Sequence, residues 1–555
     1  MKKYLIFILL IWIQLTFAGI TANQVTLSDT LIEYGSVETG LTYIQTVNII
    51  NDSPQPLTIL KAEFGKDNFY ADVVNSEIAA HNSVQINIEF ETDQNIDYVD
   101  FLRIQIDGLS YPLIARVEAH AEYPETYYDL TQNKTDEELK SVLQGIIDDH
   151  TSLGYTIARD YMYGSVDNAD GFVECVYTGR SAEFDTREGA NANSINCEHT
   201  WPQSFFSENE PMRSDLFQLY PTDVDANSRR GNLDFGDVIS STWSEGGSAL
   251  GTDASGQTVF EPREAHKGNV ARTYFYFTVR YGGLYNDFED PVKMESLFRL
   301  WHVIDPVDAA ELQRNESIYT LQNNRNPFID HPEFADRIHN FTGTSNPVYQ
   351  PEIDVAPEKV NLPLVYAGET VNIKLAVINS GNSSLNISSI QSGNSDFTLS
   401  VSSLTIANET YNYLHMQYIA PVFETTDSTI ISIHSDDTDE PLVEIPVKIH
   451  VVEPSGMSEN SYLPVSTQLL QNYPNPFNPS TTISYTIGAQ NIVPQRVELS
   501  IYNMLGQKVT TLVSDYKQPG QYFVNWNAGQ MASGIYYYRM QTVKFHIIHR
   551  MILIK

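Results

Sequence analysis

A short stretch near the middle of the chain places a carboxylate directly beside an imidazole. It reads Asn196-Cys197-Glu198-His199-Thr200-Trp201-Pro202-Gln203-Ser204. Adjacent side chains of a β-strand point to opposite faces of the sheet. Glu198 and His199 therefore reach one common site only if the strand bulges or ends beside them, and the nearby Pro202 favours a strand end.

A second polar stretch follows and contains an amide next to two arginines. It reads Asp223-Val224-Asp225-Ala226-Asn227-Ser228-Arg229-Arg230-Gly231-Asn232. Hydrolysis of a phosphodiester needs a base that activates water and a hard cation that neutralises the developing charge. It also benefits from a cationic side chain that holds the phosphate.

The two stretches together offer each of these groups. Glu198 and Asn227 supply oxygen ligands of the kind that Mg²⁺ or Ca²⁺ prefers. His199 can act as the base because imidazole titrates near neutral pH. The candidate phosphate ligands, whose guanidinium groups bind phosphate bidentately, are Arg213, Arg229 and Arg230. For the last two, the alternative is ion pairing with the many nearby carboxylates.

The chain contains two cysteines, Cys175 and Cys197, and both flank this candidate site. In an exported protein such a pair favours one disulfide, because no other cysteine competes for either partner. The alternative is two unrelated free thiols.

Composition limits the classes of function. The 555 residues predict several domains, since a domain usually contains roughly 100–200 residues. A formal net charge of -37 provides no long-range attraction to nucleic acid, which argues against a tight, static nucleic-acid binder. An enzyme is not excluded, because a local arginine cluster and a metal ion can hold one phosphate.

The N-terminus has the pattern of an export signal. Lys2 and Lys3 precede an apolar run over residues 4–12, and Thr16-Phe17-Ala18 offers a cleavage site of small residues. This predicts a signal peptide over residues 1–18. No later segment reaches about 18 uninterrupted apolar residues, so we expect no transmembrane span in the mature chain.

Two segments, residues 24–121 and 352–453, alternate apolar and polar residues with the period of β-strands. The second echoes the first, in that Ala376-Val377-Ile378-Asn379-Ser380-Gly381 corresponds to Asn48-Ile49-Ile50-Asn51-Asp52-Ser53, and Phe397 to Phe69. This indicates an internal duplication. Both segments resemble the immunoglobulin-like modules of bacterial secreted proteins, which implies β-sandwiches.

The segment between them, residues 125–345, has a different pattern. The run Thr135-Asp136-Glu137-Glu138 predicts a capping box at the start of a helix. Further helices are predicted over 267–281, 291–303 and 306–322, separated by stretches rich in Gly, Asn, Asp and Ser. This predicts a mixed α+β domain with long, functional loops.

A polar linker over residues 454–466 precedes a last β-domain over 467–555. That domain contains Pro474-Asn475-Pro476-Phe477, Leu505-Gly506-Gln507 and Ser533-Gly534-Ile535-Tyr536. It closely resembles the C-terminal sorting domain of type IX secretion substrates, although His546-Ile547-Ile548-His549 departs from its usual polar ending. The resemblance implies recognition by the outer-membrane secretion machinery, and a secreted or surface-attached protein.

The middle domain resembles the endonuclease I family of secreted bacterial nucleases, which share the ββα-metal (His-Me) finger. The matching pieces stand in the family's order: Glu198 to Ser204, Arg213 to Leu216, Leu219 to Asp223, Asn227 with Arg230 to Asn232 and Phe235-Gly236, Phe260 to Pro262, Lys267 to Arg272, and Gln322 to Phe328.

The resemblance implies a role for each motif residue. His199 would be the general base, and Glu198 and Asn227 would bind Mg²⁺, with Ca²⁺ or Mn²⁺ as alternatives. Arg213 would contact the cleaved phosphate. The family usually has histidine where this chain has Phe217. If that histidine supports the site by hydrogen bonding, this chain lacks the support.

These patterns predict a multidomain chain with an α+β nuclease core, flanked by all-β immunoglobulin-like sandwiches. The predicted function is that of an exported, metal-dependent endonuclease that cleaves DNA, with RNA as an alternative substrate, and with little sequence specificity. One alternative is a surface adhesin with a degenerate nuclease domain. Another is a phosphodiesterase or ribonuclease with a different substrate.

Overall fold

A computed structural model describes residues 24–71, 73, 76–282, 288–453, 467–487, 495–504, 506–518, 520–542 and 546–554. The predicted signal peptide, residues 1–18, and the predicted linker, residues 454–466, lie outside the described residues. The chain divides into two compact units, one ending at Val451 and the other beginning at Val452.

The first part of the chain forms two packed β-sheets. The strands are β1 Val25–Leu27, β2 Leu31–Glu38, β3 Tyr43–Asn51, β4 Leu57–Glu63, β5 Phe69–Tyr70, β6 Ser76–Ile78, β7 Asn82–Phe90, β8 Asp97–Ile106 and β9 Leu113–Glu122. One sheet has the order β1-β3-β7-β5 and the other β2-β9-β8-β4-β6. Their alternating apolar residues, such as Val47 and Ile88 facing Ile59 and Leu102, are fully buried in one core.

The next module, between β9 and the following pair of sheets, mixes helices with short strands. The helices are α1 Asp136–Ile147, α2 Tyr155–Tyr161, α3 Arg187–Ala192, α4 Val224–Arg230, α5 Lys267–Tyr281, α6 Pro291–Ile304, α7 Ala309–Gln322 and α8 Pro327–Asp330. The strands are β10 Asn168–Ala169, β11 Phe172–Glu174, β12 Ser181–Glu183, β13 Ile195–His199, β14 Leu219–Asp223, β15 Ser240–Glu245, β16 Ser248–Thr252 and β17 Thr258–Glu261.

Helix α5 forms the centre of this module. It is buried on nearly every side, and Tyr274, Phe275, Tyr276 and Phe277 are all fully buried. Trp201 packs on this helix, with its ring centroid 4.7 Å from that of Tyr274. Trp201 is fully buried and is therefore a core residue.

The predicted helices are observed with small changes at their ends. The predicted helix over 267–281 is confirmed, and the one over 291–303 extends to Ile304. The third begins at Ala309 rather than 306, because the Asp308 side chain accepts hydrogen bonds from the backbone of Ala310 and Glu311 and so starts the helix.

The capping-box prediction at α1 is wrong. Thr135 precedes the helix, but its side chain makes no capping hydrogen bond. Glu138 pairs with Lys134 instead of reaching back to the Thr135 amide. The helix start is held by tertiary contacts, since the Asp136 amide donates to the Arg337 carbonyl and its carboxylate accepts from the His339 amide.

A second pair of packed sheets follows. The strands are β18 Ile353–Ala356, β19 Val360–Tyr366, β20 Thr370–Asn379, β21 Leu385–Ser392, β22 Phe397–Leu399, β23 Leu404–Ile406, β24 Thr410–Ile419, β25 Thr425–Ser435 and β26 Leu442–Val452. The sheet orders are β18-β20-β24-β22 and β19-β26-β25-β21-β23. Strand by strand, these orders repeat those of the first pair of sheets, which confirms the predicted duplication.

Two equivalent asparagines explain part of the sequence similarity between residues 24–121 and 352–453. Asn51 and Asn379 are both fully buried at the ends of equivalent strands. Their amide groups donate to the carbonyls of Ile78 at 3.2 Å and Ile406 at 3.1 Å, respectively. Because a buried carbonyl is costly without a donor, each asparagine ties the turn to a neighbouring strand.

The C-terminal unit is also built from strands. They are β27 Gln468–Leu469, β28 Ser480–Ile487, β29 Gln495–Asn503, β30 Lys508–Lys517, β31 Gly520–Asn527, β32 Gly534–Gln541 and β33 His546–Leu553. The sheet orders are β27-β28-β31 and β30-β29-β32-β33. Across the described residues of the whole chain, no helix has the length and apolar character needed to cross a membrane.

Candidate active site

The candidate site is built on two strands and the helix that follows them. Strands β13 and β14 pair antiparallel, with Glu198 opposite Tyr220 and His199 opposite Leu219. Helix α4 begins directly after β14 and ends at Gly231, whose positive φ of 49° suits a helix terminus. The two sequence stretches that predicted the site are therefore neighbours, one in β13 and the other in α4.

Strand β13 ends at His199, as Pro202 suggested. Its side chains still alternate. Asn196 and Glu198 contact α4, whereas Cys197 and His199 contact Tyr155 of α2. Glu198 and His199 thus lie side by side at the strand end, but their side chains face different surroundings.

Glu198 is held firmly on the α4 side. It is only 1% exposed, and its Oε1 accepts a hydrogen bond of 2.8 Å from the Tyr177 hydroxyl. The Nε of Arg230 lies 3.5 Å from the same oxygen. The other oxygen, Oε2, accepts no hydrogen bond from any described residue.

Asn227 approaches the same face of β13 from helix α4. Its Nδ2 donates to Asn196 Oδ1 at 2.9 Å and to the Cys197 carbonyl at 3.1 Å. These bonds direct the amide nitrogen toward the strand. No described residue donates a hydrogen bond to Asn227 Oδ1, so this oxygen keeps its lone pairs.

The donor set fits a hard divalent cation. Glu198 Oε2 and Asn227 Oδ1 are oxygen ligands without a hydrogen-bonding partner in the described part of the chain, and the remaining positions of such a cation are usually filled by water and substrate. Among the described residues, no group of three or more His, Cys, Asp or Glu side chains is arranged to hold a metal. The candidate centre is therefore limited to one carboxylate and one amide.

Burial shifts the two titratable groups in opposite directions. It raises the pKa of Glu198 to about 7, while the charge of Arg230 and the Tyr177 hydrogen bond act the other way. Burial lowers the pKa of His199 to about 4, and the charges of Arg213, Arg159 and Arg230 add to this, against the effect of the hydrogen bond to the Arg213 carbonyl. At neutral pH the imidazole is therefore uncharged and able to accept a proton.

The His199 ring is oriented by one backbone contact and one aromatic contact. Its Nε2 lies 3.2 Å from the Arg213 carbonyl oxygen. A carbonyl only accepts, so Nε2 carries the hydrogen and Nδ1 is left as the basic nitrogen. The Tyr155 ring lies beside the imidazole, with centroids 5.3 Å apart.

The structure places Arg213 next to His199. Its guanidinium Cζ lies 4.5 Å from the centroid of the Tyr155 ring, and one Nη is 2.9 Å from a carboxylate oxygen of Glu208. Glu208 is about half exposed, so this ion pair is weak and can yield to a phosphate.

The placement of Arg230 contradicts its predicted role as a phosphate ligand. Arg230 is 1% exposed, and its Nη atoms donate to the carbonyls of Thr200 at 2.6 Å and Gly231 at 2.9 Å. Through these two carbonyls it joins the segment after β13 to the end of α4. Arg229 is at the surface, paired with Asp225, and its role in binding substrate stays a prediction.

The disulfide prediction is also wrong, since Cys175 and Cys197 are both free. Cys197 Sγ lies 3.9 Å from the sulfur of Met162, on the α2 side of β13. The Cys175 thiol faces Asp223 and Thr178 instead. Burial raises the pKa of both thiols to about 12, which keeps them protonated and unreactive.

Phe217, where the family pattern has histidine, is part of the core. It is 1% exposed and its ring centroid is 4.8 Å from that of Tyr276. Asp215, two residues earlier, accepts hydrogen bonds from the hydroxyls of Tyr276 and Tyr281. This stretch is therefore anchored to α5 by Asp215 and by apolar packing of Phe217.

Three residues at the site were missed by sequence reasoning. Tyr177 lies in a loop and no motif marks it. Tyr155 and Arg159 stand one helical turn apart in α2, a short helix that was not predicted. Their spacing of four residues is typical of a side-chain pair on a helix, and would have been informative had the helix been recognised.

Two family models match parts of the chain. The family model described as Endonuclease I matches residues 135–333, and the model described as secretion system C-terminal sorting domain matches residues 471–555. The second match shows that the chain carries a sorting tail, and the protein is secreted or held at the cell surface.

The relatives of the middle module are nucleases. An extracellular ribonuclease of Bacillus subtilis (strain 168) is 38% identical over 231 residues, which cover 39% of this chain and 78% of that protein. An extracellular deoxyribonuclease of Aeromonas hydrophila is 28% identical, covering 26% of this chain and 69% of that protein. On the strength of these matches and the β13-β14-α4 arrangement, the chain belongs to the endonuclease I family.

Proposed function

We propose that the module of residues 125–345 hydrolyses phosphodiester bonds of DNA or RNA, with His199 as the base that activates water. The observation that carries this proposal is the contact between His199 Nε2 and the Arg213 carbonyl. It leaves Nδ1 of a neutral imidazole free to take a proton. The water oxygen bonds to phosphorus, its proton goes to Nδ1, and the bond to the 3′ oxygen breaks.

We assign Glu198 and Asn227 to a divalent cation, with Mg²⁺ preferred and Ca²⁺ or Mn²⁺ as alternatives. Glu198 Oε2 and Asn227 Oδ1, which accept no hydrogen bond from any described residue, support this assignment. When bound, such a cation neutralises charge on the phosphate and on the leaving oxygen. Tyr177 and Arg230 fix the Glu198 carboxylate, and Asn196 fixes the Asn227 amide, so both ligands are oriented before the cation arrives.

Arg213 is assigned to the cleaved phosphate. Its guanidinium and the His199 imidazole contact the same Tyr155 ring, so the guanidinium lies close to the base. Guanidinium binds phosphate through two parallel hydrogen bonds. Arg213 can therefore both hold the phosphate in position and offset its negative charge. Glu208 contacts one Nη of this guanidinium, and a phosphate would displace it.

The site supports cleavage with little sequence preference. Each group assigned above addresses water, phosphate or metal, and none is assigned to a base edge. The relatives include proteins named ribonuclease and proteins named deoxyribonuclease, so we propose both polymers as substrates of this chain.

The remaining parts of the chain are assigned to export and spacing. We propose that residues 24–121 and 352–453 are immunoglobulin-like sandwiches, since each has two packed sheets with one repeated strand order. Residues 1–18 are assigned as a signal peptide, 454–466 as a linker, and 467–555 as the segment that the outer-membrane secretion machinery recognises.

The test is a digestion panel with the full chain. Single-stranded DNA, duplex DNA and RNA are incubated with Mg²⁺, Mn²⁺ or Ca²⁺, and with a chelator. Cleavage of at least one polymer with a metal, lost with the chelator and in His199→Ala, is the expected result. Failure to cut any polymer with any metal would contradict the proposal and favour an adhesin with a degenerate nuclease domain.

A further inference from the structure

Arg159 stands out from the other cations of the nuclease module. Among the described residues of 125–345, every arginine and lysine has a carboxylate oxygen within 4.0 Å except Arg159 and Arg337. Arg337 is 5% exposed and donates to Asn95 and to backbone carbonyls. Arg159 is half-buried, so it reaches solvent without a carboxylate partner.

This exception is informative because acidic residues are abundant. The chain has 70 Asp and Glu against 33 Lys and Arg. An exposed arginine in such a chain finds a carboxylate easily, and its immediate neighbour Asp160 does pair, but with Arg187. A guanidinium without such a partner is better placed to receive an anion, since an internal carboxylate, like Glu208 at Arg213, competes with the ligand.

The position of Arg159 links it to the candidate base. Its guanidinium Cζ lies 4.0 Å from the centroid of the Tyr155 ring, and Arg213 lies over the same ring. The Tyr155 ring in turn contacts His199. One tyrosine therefore gathers two guanidinium groups and the imidazole on the α2 side of β13.

The two Nη groups of the Arg159 guanidinium are available to bind an anion. Its Nε donates to the Tyr155 carbonyl at 3.4 Å, within the same helix. Neither Nη donates to a described residue. The Nε contact and the ring limit the rotamers of the side chain, so the two Nη groups are held in place before an anion binds.

We propose that Arg159 binds a backbone phosphate of the polynucleotide next to the phosphate that is cleaved. This rests on the proposed function, in which Arg213 holds the cleaved phosphate. Two guanidinium groups on one ring would then contact successive phosphates of one strand. Such a subsite favours polymers over substrates with a single phosphodiester, and it is independent of base sequence.

The test measures binding of the full chain to a fluorescein-labelled, single-stranded DNA 12-mer in chelator, by anisotropy over a series of salt concentrations. Arg159→Gln is expected to raise the Kd about ten-fold and to reduce the salt dependence by about one phosphate contact. Arg159→Lys keeps the charge but loses the planar pair of N–H donors. It should therefore retain the salt dependence, with a smaller rise in Kd than Arg159→Gln.

Arg187→Gln is the matched control. It removes the same charge from the same module, but from an arginine that is already paired with Asp160. Its Kd should stay within about two-fold of the unaltered chain. Equal Kd values and salt dependences for Arg159→Gln and Arg187→Gln would overturn the proposal.

Steady-state kinetics on the same 12-mer with Mg²⁺ separate a neighbouring phosphate from the cleaved one. Arg159→Gln should raise KM with kcat nearly unchanged, whereas equal losses in kcat and kcat/KM would place Arg159 on the reacting phosphate and reject the subsite. Binding in chelator does not depend on cleavage. A chain that binds through Arg159 but cuts nothing would contradict only the proposed function.

Discussion

The two faces of strand β13 differ in chemistry although their residues alternate along one short segment. On the α4 side, Glu198 accepts a hydrogen bond from the Tyr177 hydroxyl, and the Asn227 amide donates one to Asn196. Toward α2, His199 lies among a tyrosine ring and arginines. The comparison teaches that strand alternation places the Glu198 carboxylate and the base in different surroundings. Burial disfavours the charged form of both groups, so it raises the pKa of the Glu198 carboxyl and lowers that of the His199 imidazole.

The largest effect is expected on the α2 face. His199→Ala removes the proposed base and should lower kcat by about 10²–10⁴-fold, the usual contribution of a general base. The concentration of Mg²⁺ that gives half-maximal activity should not change, because the ligand oxygens lie on the other face. A metal titration of both proteins on one oligonucleotide measures the two effects separately. Equal kcat values for His199→Ala and the unaltered protein would contradict the assignment of His199 as the base.

A substitution on the α4 face should change the Mg²⁺ concentration that gives half-maximal activity. Glu198→Gln keeps the shape and the contact with Tyr177 but removes the charge of a ligand. The Mg²⁺ concentration for half-maximal activity should rise by more than about 100-fold, beyond the loss typical of a supporting residue. Calorimetric titration of the unliganded protein with Mg²⁺ checks this without turnover. An unaltered metal affinity would show that Glu198 does not bind the cation.

A smaller effect is expected when the support of Glu198 is removed. Tyr177→Phe deletes the hydroxyl that donates to Glu198 Oε1. Because a supporting hydrogen bond orients its ligand, Mg²⁺ affinity should fall about ten-fold, with His199 unaffected. Tyr220→Phe is the matched control, since its buried hydroxyl contacts Thr273 instead. Similar metal affinities for the two variants would contradict a specific role for Tyr177.

The smallest effect concerns the two thiols. Cys197 is on the α2 face and Cys175 contacts other residues, so dithiothreitol should leave the midpoint of thermal unfolding unchanged. A disulfide would contribute about 2–4 kcal/mol, and its reduction would lower that midpoint. Titration of the denatured chain with a thiol reagent should find both cysteines free. A single disulfide would show that the two segments approach each other more closely than in this structure.

Much of the fold could be predicted from periodicity. Period-two alternation located strands in both flanking domains, and the Asn51 and Asn379 motifs revealed the duplication, because a buried turn asparagine has the same partners in each copy. The long helices over 267–281 and 291–304 were equally visible. Helix α2 was not, since a segment this short has little periodicity to detect.

Local patterns were misleading where tertiary contacts compete with them. Thr135 and Glu138 have the spacing of a capping box, but Glu138 pairs with Lys134. Cys175 and Cys197 flank one site in sequence, yet their thiols have different neighbours. Arg230 looked like a phosphate ligand, although it is buried and bonded to backbone carbonyls.

The sequence by itself determined the chemistry that is available: Glu198 and His199 side by side, Asn227 on the following helix, and the order of motifs that marks the family. Only the tertiary structure decided how these groups are used. Which side a strand residue faces, whether an arginine is buried as Arg230 is or accessible as Arg159 is, and which oxygen keeps its lone pairs all depend on elements distant in sequence. Packing, rather than local pattern, controls desolvation and hydrogen-bond partners, and these in turn control charge.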